Sequence, residues 1–359
     1  MNVLLRTPNW IGDAVLALPA AAALAGRPGW RLTLLAPPPV QAVYAGLPGA
    51  ILLPLDPRAR TLPQAWSVAR AIAADDDVGI VLPRSFSSAL VLRLAGLPRR
   101  VGRSGQGRGA LLTEALPPPP APLRPLPPAD EVDPAEHDAA RTRAAAGDDR
   151  LHRWRDYAEL VEHVLEEPVR ERYPLHVPAR SDAEAEGLLA GVGGRGPLVG
   201  LNPGSAAPSR RWPAERYAEL GRGLRQRLDA RVVVFGGPRE TDLAGAVAGA
   251  IPGAMSLAGP AGLERLMACL RRLDLLVTND TGPMHLAAAL GTPLIELAGA
   301  GDERVTGPRG DRVRILRERL FCSPCVRNVC PYGLECMRAL TVARVEAAVL
   351  DLLMEARAA

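Results

Sequence analysis

The stretch Val277-Thr-Asn-Asp-Thr-Gly-Pro-Met-His-Leu-Ala-Ala-Ala-Leu-Gly291 joins a short apolar run to a segment of small residues. The apolar run, Leu275–Val277, has the composition of a buried strand. Asp280 and Thr281 are favourable residues for a helix N-cap, and Pro283 suits the first helical turn, where its missing N–H group costs nothing. The stretch therefore predicts a β-strand, a tight turn and a helix in direct succession.

The start of this predicted helix has two interpretations. Gly282 lets the backbone approach a ligand closely, and free N–H groups at a helix N-terminus bind anions, most commonly phosphate. A capped turn without a ligand is the simpler alternative, because it describes most βα turns in α/β proteins. His285, in the first turn of the helix, either reaches a bound nucleotide or has a structural role.

Strand-like and helix-like segments alternate in both halves of the sequence, which predicts parallel sheets with helices on both faces. The alternation runs from Val3 to Leu94 and restarts at Leu198. It indicates an α/β fold with two Rossmann-like, doubly wound domains facing a central cleft. We place these domains at residues 1–176 and 177–359. Residues 117–149, rich in proline and charge, are interpreted as a surface excursion of the first domain, and the last helix, Val342–Glu355, is expected to pack back on that domain.

The composition limits the partners of the chain. Its 359 residues suffice for two domains, and all 43 basic residues are arginine against 39 acidic residues, a net charge of +4. This small excess is consistent with an acidic substrate or an anionic membrane surface, and the lack of a basic block with interleaved aromatics argues against nucleic acid. The polar stretch Thr7–Asp13 interrupts what would otherwise resemble a secretion signal, and no apolar run reaches the roughly 18 residues that span a bilayer. We therefore expect a cytoplasmic protein.

A first candidate site follows the first predicted strand, in Arg6-Thr-Pro-Asn-Trp-Ile-Gly-Asp-Ala-Val-Leu-Ala-Leu-Pro19. This segment predicts a strand, a glycine-containing turn and a helix, but it lacks the three spaced glycines of a dinucleotide-binding fingerprint. Asp13 lies at or near the helix start, at the edge of the sheet where α/β domains keep their active sites. It is either an N-cap residue or a general base that points into the cleft.

Two further loops carry polar residues at corresponding places in the second domain. The loop Leu201–Pro213 holds two adjacent arginines, Arg210 and Arg211, whose guanidinium groups suit phosphate oxygens, and Ser205 is a further candidate for phosphate binding. The alternative for the arginine pair is a solvated position beside a Trp-Pro helix start. Glu240 follows the strand that ends at Phe235 and either accepts hydrogen bonds from a ribose or is a favourable acid in a first helical turn.

Four of the five cysteines lie within fifteen residues, in Cys322-Ser-Pro-Cys-Val-Arg-Asn-Val-Cys-Pro-Tyr-Gly-Leu-Glu-Cys336. In a cytosolic protein such spacing favours metal binding or redox chemistry over disulfides. The intervals of two, four and five residues match neither a zinc ribbon nor a ferredoxin run. We interpret Cys322, Cys325, Cys330 and Cys336 as a structural cluster that holds zinc or paired thiols, and we assign no catalytic metal.

Taken together, these segments resemble the family 9 glycosyltransferases, the bacterial lipopolysaccharide heptosyltransferases, and among them the heptosyltransferase II group. The resemblance extends over nearly the whole chain in the same order, except for residues 117–149. The segments that carry it are Arg6–Pro19, Ile80–Leu90, Leu94–Gly102, Asn202–Pro213, Asp280–Gly291 and the cysteine run.

The resemblance implies a GT-B fold with an acceptor-binding first domain and a donor-binding second domain. It implies inverting transfer of heptose from the ADP-sugar ADP-L-glycero-D-manno-heptose to the lipopolysaccharide inner core, with no metal or other cofactor required. By their positions in the family's motifs, Asp13 is the catalytic base, Arg210 steadies the diphosphate, and Glu240 contacts the ribose. The loop residues Asp280, Thr281 and Gly282 surround the donor phosphates and sugar.

The chain departs from the family at Arg210, where the family usually has lysine. Arginine does not give up a proton, so the role of this position must be electrostatic. Stabilising a departing diphosphate requires only charge, and we expect Arg211 and the helix start to assist.

The acceptor implied by the resemblance is a phosphorylated, acyl-anchored sugar at the inner leaflet, so we expect peripheral contact with the membrane. First-domain arginines could meet its acidic groups, although solvation at the surface is the simpler interpretation; these are Arg84, Arg99, Arg100 and Arg103. The alternative functions are another family 9 transferase with a different sugar or acceptor, a GT-B-like nucleotide-sugar epimerase, and a noncatalytic nucleotide-binding protein or redox module.

Overall fold

The computed structural model describes residues 1–56, 62–72, 75–120, 151–260 and 262–358. The described residues form two compact units, one that ends at His176 and one that begins at Val177. Most of the predicted surface excursion, residues 117–149, lies outside the described residues. Each unit consists of a six-stranded parallel sheet and helices, so the predicted α/β class is confirmed.

The sheet of the first unit has the strand order β3-β2-β1-β4-β5-β6. The chain begins with β1 at the centre and adds β2 and β3 toward one edge. It then returns to the centre with β4 and adds β5 and β6 toward the other edge. The reversal between β1 and β4 is a topological switch point, where the two following loops diverge and leave a crevice. The strands are β1 Asn2–Arg6, β2 Arg31–Ala36, β3 Ile51–Pro54, β4 Val78–Val81, β5 Arg99–Arg103 and β6 Glu114–Leu116. The helices are Ile11–Leu24, Gln41–Tyr44, Leu62–Ala71, Phe86–Leu94 and Arg153–Leu165.

The second unit repeats this topology with the order β12-β11-β10-β7-β8-β9, and its switch point lies between β7 and β10. The strands are β7 Leu198–Asn202, β8 Arg231–Val234, β9 Met255–Ser256, β10 Leu275–Asn279, β11 Leu294–Ala298 and β12 Val313–Arg317. The helices are Ala179–Ala190, Ala214–Leu228, Thr241–Gly249, Leu263–Arg271, Gly282–Ala289, Glu303–Thr306, Glu335–Ala339 and Val342–Ala358.

Helical periodicity explains how the second unit builds its core. The helix Ala214–Leu228 buries Tyr217, Leu220 and Leu224, which recur at intervals of three and four residues and so share one face. The last helix, Val342–Ala358, buries residues in the same core and packs against Ala214–Leu228. Its packing surface thus belongs to the second unit, and the expectation that it returns to the first domain stays a prediction.

Five strands were not predicted from the sequence: β3, β5, β6, β9 and β12. Four of them lie at the edges of the two sheets, and β5 lies next to an edge. β3, Ile51–Pro54, is apolar throughout, so its composition does not explain why it was missed. Edge strands are paired on one side only and tolerate charged residues, so others lack a continuous apolar run. β12, for example, contains both Arg314 and Arg317. The helix after β10 begins at Gly282, and Pro283 lies in its first turn as predicted.

Candidate active site

The two loops at the switch point of the second unit are joined by the side chain of Asn279, the last residue of β10. Its amide nitrogen donates to the carbonyl oxygens of Pro203 and Gly204, at 2.8 and 3.3 Å. Its Oδ1 accepts from the backbone N–H of Trp212 at 3.0 Å and from the hydroxyl of Tyr217 at 3.1 Å. A fully buried amide thus fixes the loop after β7 to the end of β10.

Arg210 and Asp280, one from each loop, form an ion pair. Arg210 Nη1 lies 3.0 Å from Asp280 Oδ2, and the two side chains are 27% and 6% exposed. The Asp280 carboxylate is pressed against Gly301, where an added Cβ would stand 2.0 Å from Oδ2. Arg210 Nε is buried without a hydrogen-bond partner among the described residues. Arg210 is therefore held in place by an acid while part of its guanidinium group stays accessible.

Arg211 and Ser205 form the internal bonds of the loop after β7. Arg211 donates through Nε and Nη2 to the carbonyl oxygen of Ser205, at 2.8 and 2.6 Å. The Ser205 hydroxyl is buried and donates to the carbonyl oxygen of Asp280 at 3.3 Å. Both residues thus bind backbone carbonyls, and their assignment to donor phosphates stays a prediction.

The helix Gly282–Ala289 begins at this same edge of the sheet. Thr281 is its N-cap residue, but the Thr281 side chain makes no capping hydrogen bond. Thr281 thus leaves the first N–H groups of the helix to other partners, and both the anion-binding role of this helix start and its alternative stay predictions. His285 is buried on the helix.

Glu240 occupies the N-cap position of the helix Thr241–Gly249 and makes no capping hydrogen bond. Its carboxylate instead accepts from the backbone N–H of Gly237 at 2.8 Å and lies against Gly204, where an added Cβ would stand 2.2 Å from Oε1. Only glycine leaves room for this contact. The structure thus places Glu240 beside the loop that carries Ser205 and Arg210, as a nucleotide-binding assignment requires.

One acid of this region was missed by the sequence reasoning. Glu296 is in the middle of β11 and is 2% exposed. Burial raises the pKa of its carboxyl group well above the ordinary value, and the charge of Asp280 adds to the effect. A single acid within the apolar run Leu294–Leu297 is the only signal of it in the sequence.

Asp13 is in the first turn of the helix Ile11–Leu24, which follows β1 at the switch point of the first unit. The N-cap residue is Trp10, so the N-cap interpretation of Asp13 is wrong. Arg153 Nη1 lies 3.6 Å from the Asp13 carboxylate, and Asp13 is 24% exposed. This distance is too long for a hydrogen bond, and it leaves the carboxylate oriented by charge and open to a substrate.

Two buried tyrosines lie within electrostatic range of this carboxylate. Burial raises the pKa of Tyr44 and of Tyr157, and the charge of Asp13 contributes to both shifts. Burial alone would lower the pKa of Arg153, but Tyr157 and Asp13 outweigh it and the pKa is raised. The tyrosines therefore stay neutral while Arg153 stays charged.

Most of the arginines expected to meet an acidic acceptor are already paired. Arg103 is buried and binds Asp156 at 2.7 Å, and Arg99 binds Glu114 at 2.5 Å. Arg100 donates to backbone carbonyls. Arg84 also binds Asp156 but is 42% exposed. The interpretation of Arg103 as a solvated surface residue is therefore wrong. Arg84 is the most exposed of the four arginines.

The four clustered cysteines, here called the cysteine loop (Cys322–Cys336), line one cavity of the second unit. All are free thiols, and burial raises the pKa of Cys336 to about 11, with the neighbouring cysteines contributing. Within the described ranges, no three His, Cys, Asp or Glu side chains form a group that could hold a metal ion. Backbone bonds tie this loop to the donor region, since the N–H of Ser209 donates to the Asn328 carbonyl at 3.2 Å. The zinc assignment stays a prediction.

Comparison with known proteins identifies the class to which this site belongs. The sequence profile of glycosyltransferase family 9 (heptosyltransferase) matches residues 137–335, more than half of the chain. The protein is thus a glycosyltransferase of family 9, and the family and enzyme class predicted from the sequence are confirmed.

Individual relatives narrow the likeness further. The chain is 28% identical to lipooligosaccharide heptosyltransferase 2 of Haemophilus influenzae, over 88% of both proteins. It is equally identical to lipopolysaccharide heptosyltransferase 2 of Salmonella typhimurium, again over 88% of both.

Solved structures confirm the predicted GT-B fold class. The fold matches that of E. coli ADP-heptose LPS heptosyltransferase II with a TM-score of 0.73 at 24% identity, over 99% of both chains. A family 9 glycosyltransferase from Veillonella parvula matches with a TM-score of 0.80 at 21% identity, over 99% of this chain and 97% of the other. In the part of the chain that the structure describes, we find no helix with the length and apolarity to cross a membrane.

Proposed function

We propose that the protein is a heptosyltransferase of the heptosyltransferase II type. It transfers heptose from ADP-L-glycero-D-manno-heptose to the inner core of lipopolysaccharide and inverts the anomeric centre. The observation that carries this proposal is the Arg210–Asp280 ion pair at the switch point, with Glu240 against Gly204 of the loop after β7. The relatives of the chain that carry the name heptosyltransferase 2 support it.

The second unit binds the donor in this proposal. Glu240, beside Gly204, accepts hydrogen bonds from the ribose, and Arg210 faces the diphosphate. Negative charge grows on the diphosphate as the glycosidic bond breaks, and a fixed guanidinium group with helix N–H groups stabilises that charge. Arg210 acts by charge alone, because its guanidinium group keeps its proton.

The first unit supplies the base. Asp13 takes the proton of an acceptor heptose hydroxyl while that oxygen attacks the anomeric carbon of the donor, and ADP departs from the opposite face of the sugar. Arg153 orients the carboxylate by charge without forming a hydrogen bond to it. The Asp13 oxygens are therefore not committed to Arg153, as a base requires.

The remaining assignments follow from this reaction. Because Arg210 and the helix start can take the place of a divalent cation at the diphosphate, we propose that transfer requires no metal or other cofactor. The acceptor is acyl-anchored, so the enzyme acts in the cytoplasm at the surface of the inner membrane through peripheral contact. Arg84 is the arginine best exposed to meet an acidic acceptor group.

The test is ADP release from ADP-heptose, measured with and without truncated inner-core lipopolysaccharide. We expect release to depend on the acceptor. Asp13→Ala should lose transfer but keep its affinity for ADP, because Asp13 belongs to the other unit than the donor loops. Asp75→Asn, which changes a largely exposed acid of the same unit, is the matched control and should behave as the unmodified protein.

Three outcomes would count against the proposal. Release that ignores the acceptor would reject the transferase assignment, and sugar isomerisation without release would indicate an epimerase. Near-normal turnover by Asp13→Ala would reject Asp13 as the base while leaving the transferase assignment intact.

A further inference from the structure

Glu296 is an acid in a place where parallel sheets normally hold apolar residues. It is in the middle of β11, whose five residues are all buried, and it pairs in register with Thr278 of β10 and Ile315 of β12. Its neighbours Ile295 and Leu297 belong to the main core of the unit. Because side chains alternate along a strand, Glu296 lies on the opposite face of the sheet.

That opposite face carries a polar row at the switch point. Thr278 stands between Glu296 on one side and Asn202 on the other, and the Asn202 amide donates to the Thr278 hydroxyl at 2.9 Å. The row therefore runs across β7, β10 and β11, directly below the loops that hold Arg210 and Asp280. Glu296 is the member of this row with an ionisable side chain.

The charged groups that face Glu296 come from every element around it. They are Asp280 after β10, Arg210 after β7, Glu303 of the helix Glu303–Thr306 and Arg317 of β12. Arg210 already binds Asp280, and Arg317 binds Glu303 together with the Ser323 hydroxyl. Glu296 Oε2 is buried and has no hydrogen-bond partner among the described residues. Neither arginine is thus committed to Glu296.

We propose that Glu296 is a positioning residue of the donor site: its buried carboxyl group underlies the Asp280–Arg210 pair and keeps Arg210 where the donor diphosphate binds. This inference rests on the proposed function only in naming the ligand as a nucleoside diphosphate. Glu296 touches neither donor nor acceptor, and it acts through Asp280.

The protonation state of Glu296 follows from its surroundings. Burial and the negative charges of Asp280 and Glu303 raise its pKa well above the ordinary value, against the opposing effect of Arg317 and Arg210. Because its pKa is raised, the side chain stays a neutral acid to a higher pH than an ordinary glutamic acid does, and in that form it can share a hydrogen bond with a carboxylate. When it ionises at higher pH, a new negative charge faces Asp280 and the diphosphate, so donor binding weakens.

Stability provides a readout that does not depend on ligand. Glu296 has a higher pKa in the folded chain than in the unfolded chain, so between these two pKa values only the folded chain keeps the proton. The free energy of unfolding therefore falls as the pH rises from the lower pKa to the higher one. Each pH unit in that interval should multiply the unfolding constant by about ten through this one group. Glu296→Gln removes this contribution, and urea unfolding at several pH values should show a flatter profile for the variant.

ADP affinity provides the readout specific to positioning. As the pH rises above the ordinary pKa of a glutamic acid, ADP binding by the unmodified protein should weaken about fivefold more than binding by Glu296→Gln, measured by calorimetry at a series of pH values. Glu296→Ala removes the support of Asp280 and should weaken ADP binding at every pH. Glu219→Gln, at an exposed position of the helix Ala214–Leu228, is the matched control and should follow the unmodified protein.

Two results would overturn the inference. One is a stability profile of Glu296→Gln that parallels that of the unmodified protein, which would mean that Glu296 is ionised in the fold. The other is equal ADP affinity of all variants at every pH, which would mean that Glu296 does not act on the donor site. Neither measurement uses sugar transfer, so a failure of the proposed function is seen separately, in the acceptor-dependent assay.

Discussion

Replacing Asn279 with alanine should separate the two donor loops and destabilise the second unit. The buried amide makes four hydrogen bonds, to Pro203, Gly204, Trp212 and Tyr217. At about 1 kcal/mol for each bond, their loss should lower the free energy of unfolding by about 4 kcal/mol. The loss is large because the partners of Asn279 stay buried and no side chain replaces the amide.

The chain offers a matched control in Asn202. This second buried asparagine lies on the adjacent strand, and its amide donates one hydrogen bond, to Thr278 at 2.9 Å. Asn202→Ala should therefore cost about 1 kcal/mol. Both variants replace a buried asparagine with alanine, and they differ in the number of hydrogen bonds that are lost.

Urea unfolding gives both free energies, and calorimetric titration with ADP gives the effect on the site. We expect Asn279→Ala to be destabilised several-fold more than Asn202→Ala and to bind ADP at least about tenfold more weakly, equivalent to about 1.4 kcal/mol. Equal destabilisation of the two variants would refute the view that this amide joins the loops. A large loss of stability with unchanged ADP affinity would limit Asn279 to a role in folding.

Two further predictions concern charge and metal. Arg210→Met should lower the rate of sugar transfer by about 10²–10³-fold, whereas Arg210→Lys should retain most of it because only the charge is required; equal loss in both variants would contradict a purely electrostatic role. Because no three His, Cys, Asp or Glu side chains of the described residues form a group that could hold a metal ion, elemental analysis of the purified protein should find less than one zinc ion per chain. Thiol titration of the urea-unfolded protein should find all five cysteines free; one zinc ion per chain that Cys322→Ser removes and Cys269→Ser, in the helix Leu263–Arg271, retains would contradict this expectation.

The sequence predicted the loops of the site because parallel strands place their carboxyl ends at one edge of a sheet. The segments after β1, β7, β8 and β10 were each identified from a strand, a turn residue and a helix start. The structure joins three of them within the second unit through Arg210, Asp280 and Glu240. Their roles toward the donor remain predictions of the resemblance and of this geometry.

Residues that act by connecting distant segments were beyond sequence reasoning. Asn279 was part of the opening stretch, but its four partners are between 62 and 76 residues away along the chain. Arg211 was predicted to face a phosphate and binds the Ser205 carbonyl, because a loop that turns back on itself must satisfy its own carbonyl groups. Glu296 interrupts an apolar run in the sequence, but its relation to Asp280 and Arg210 is visible only in the fold.

The position of the last helix sets an order on folding. Residues 342–358 complete the core of the second unit, and the indole N–H of Trp212 donates to the Leu340 carbonyl at 2.9 Å. During synthesis, which proceeds at about 5–20 residues per second, the first unit can fold while the second is still being made. Because residues from Leu340 onward fix Trp212 of the loop after β7, that loop can complete its packing only after the whole first unit has been synthesised.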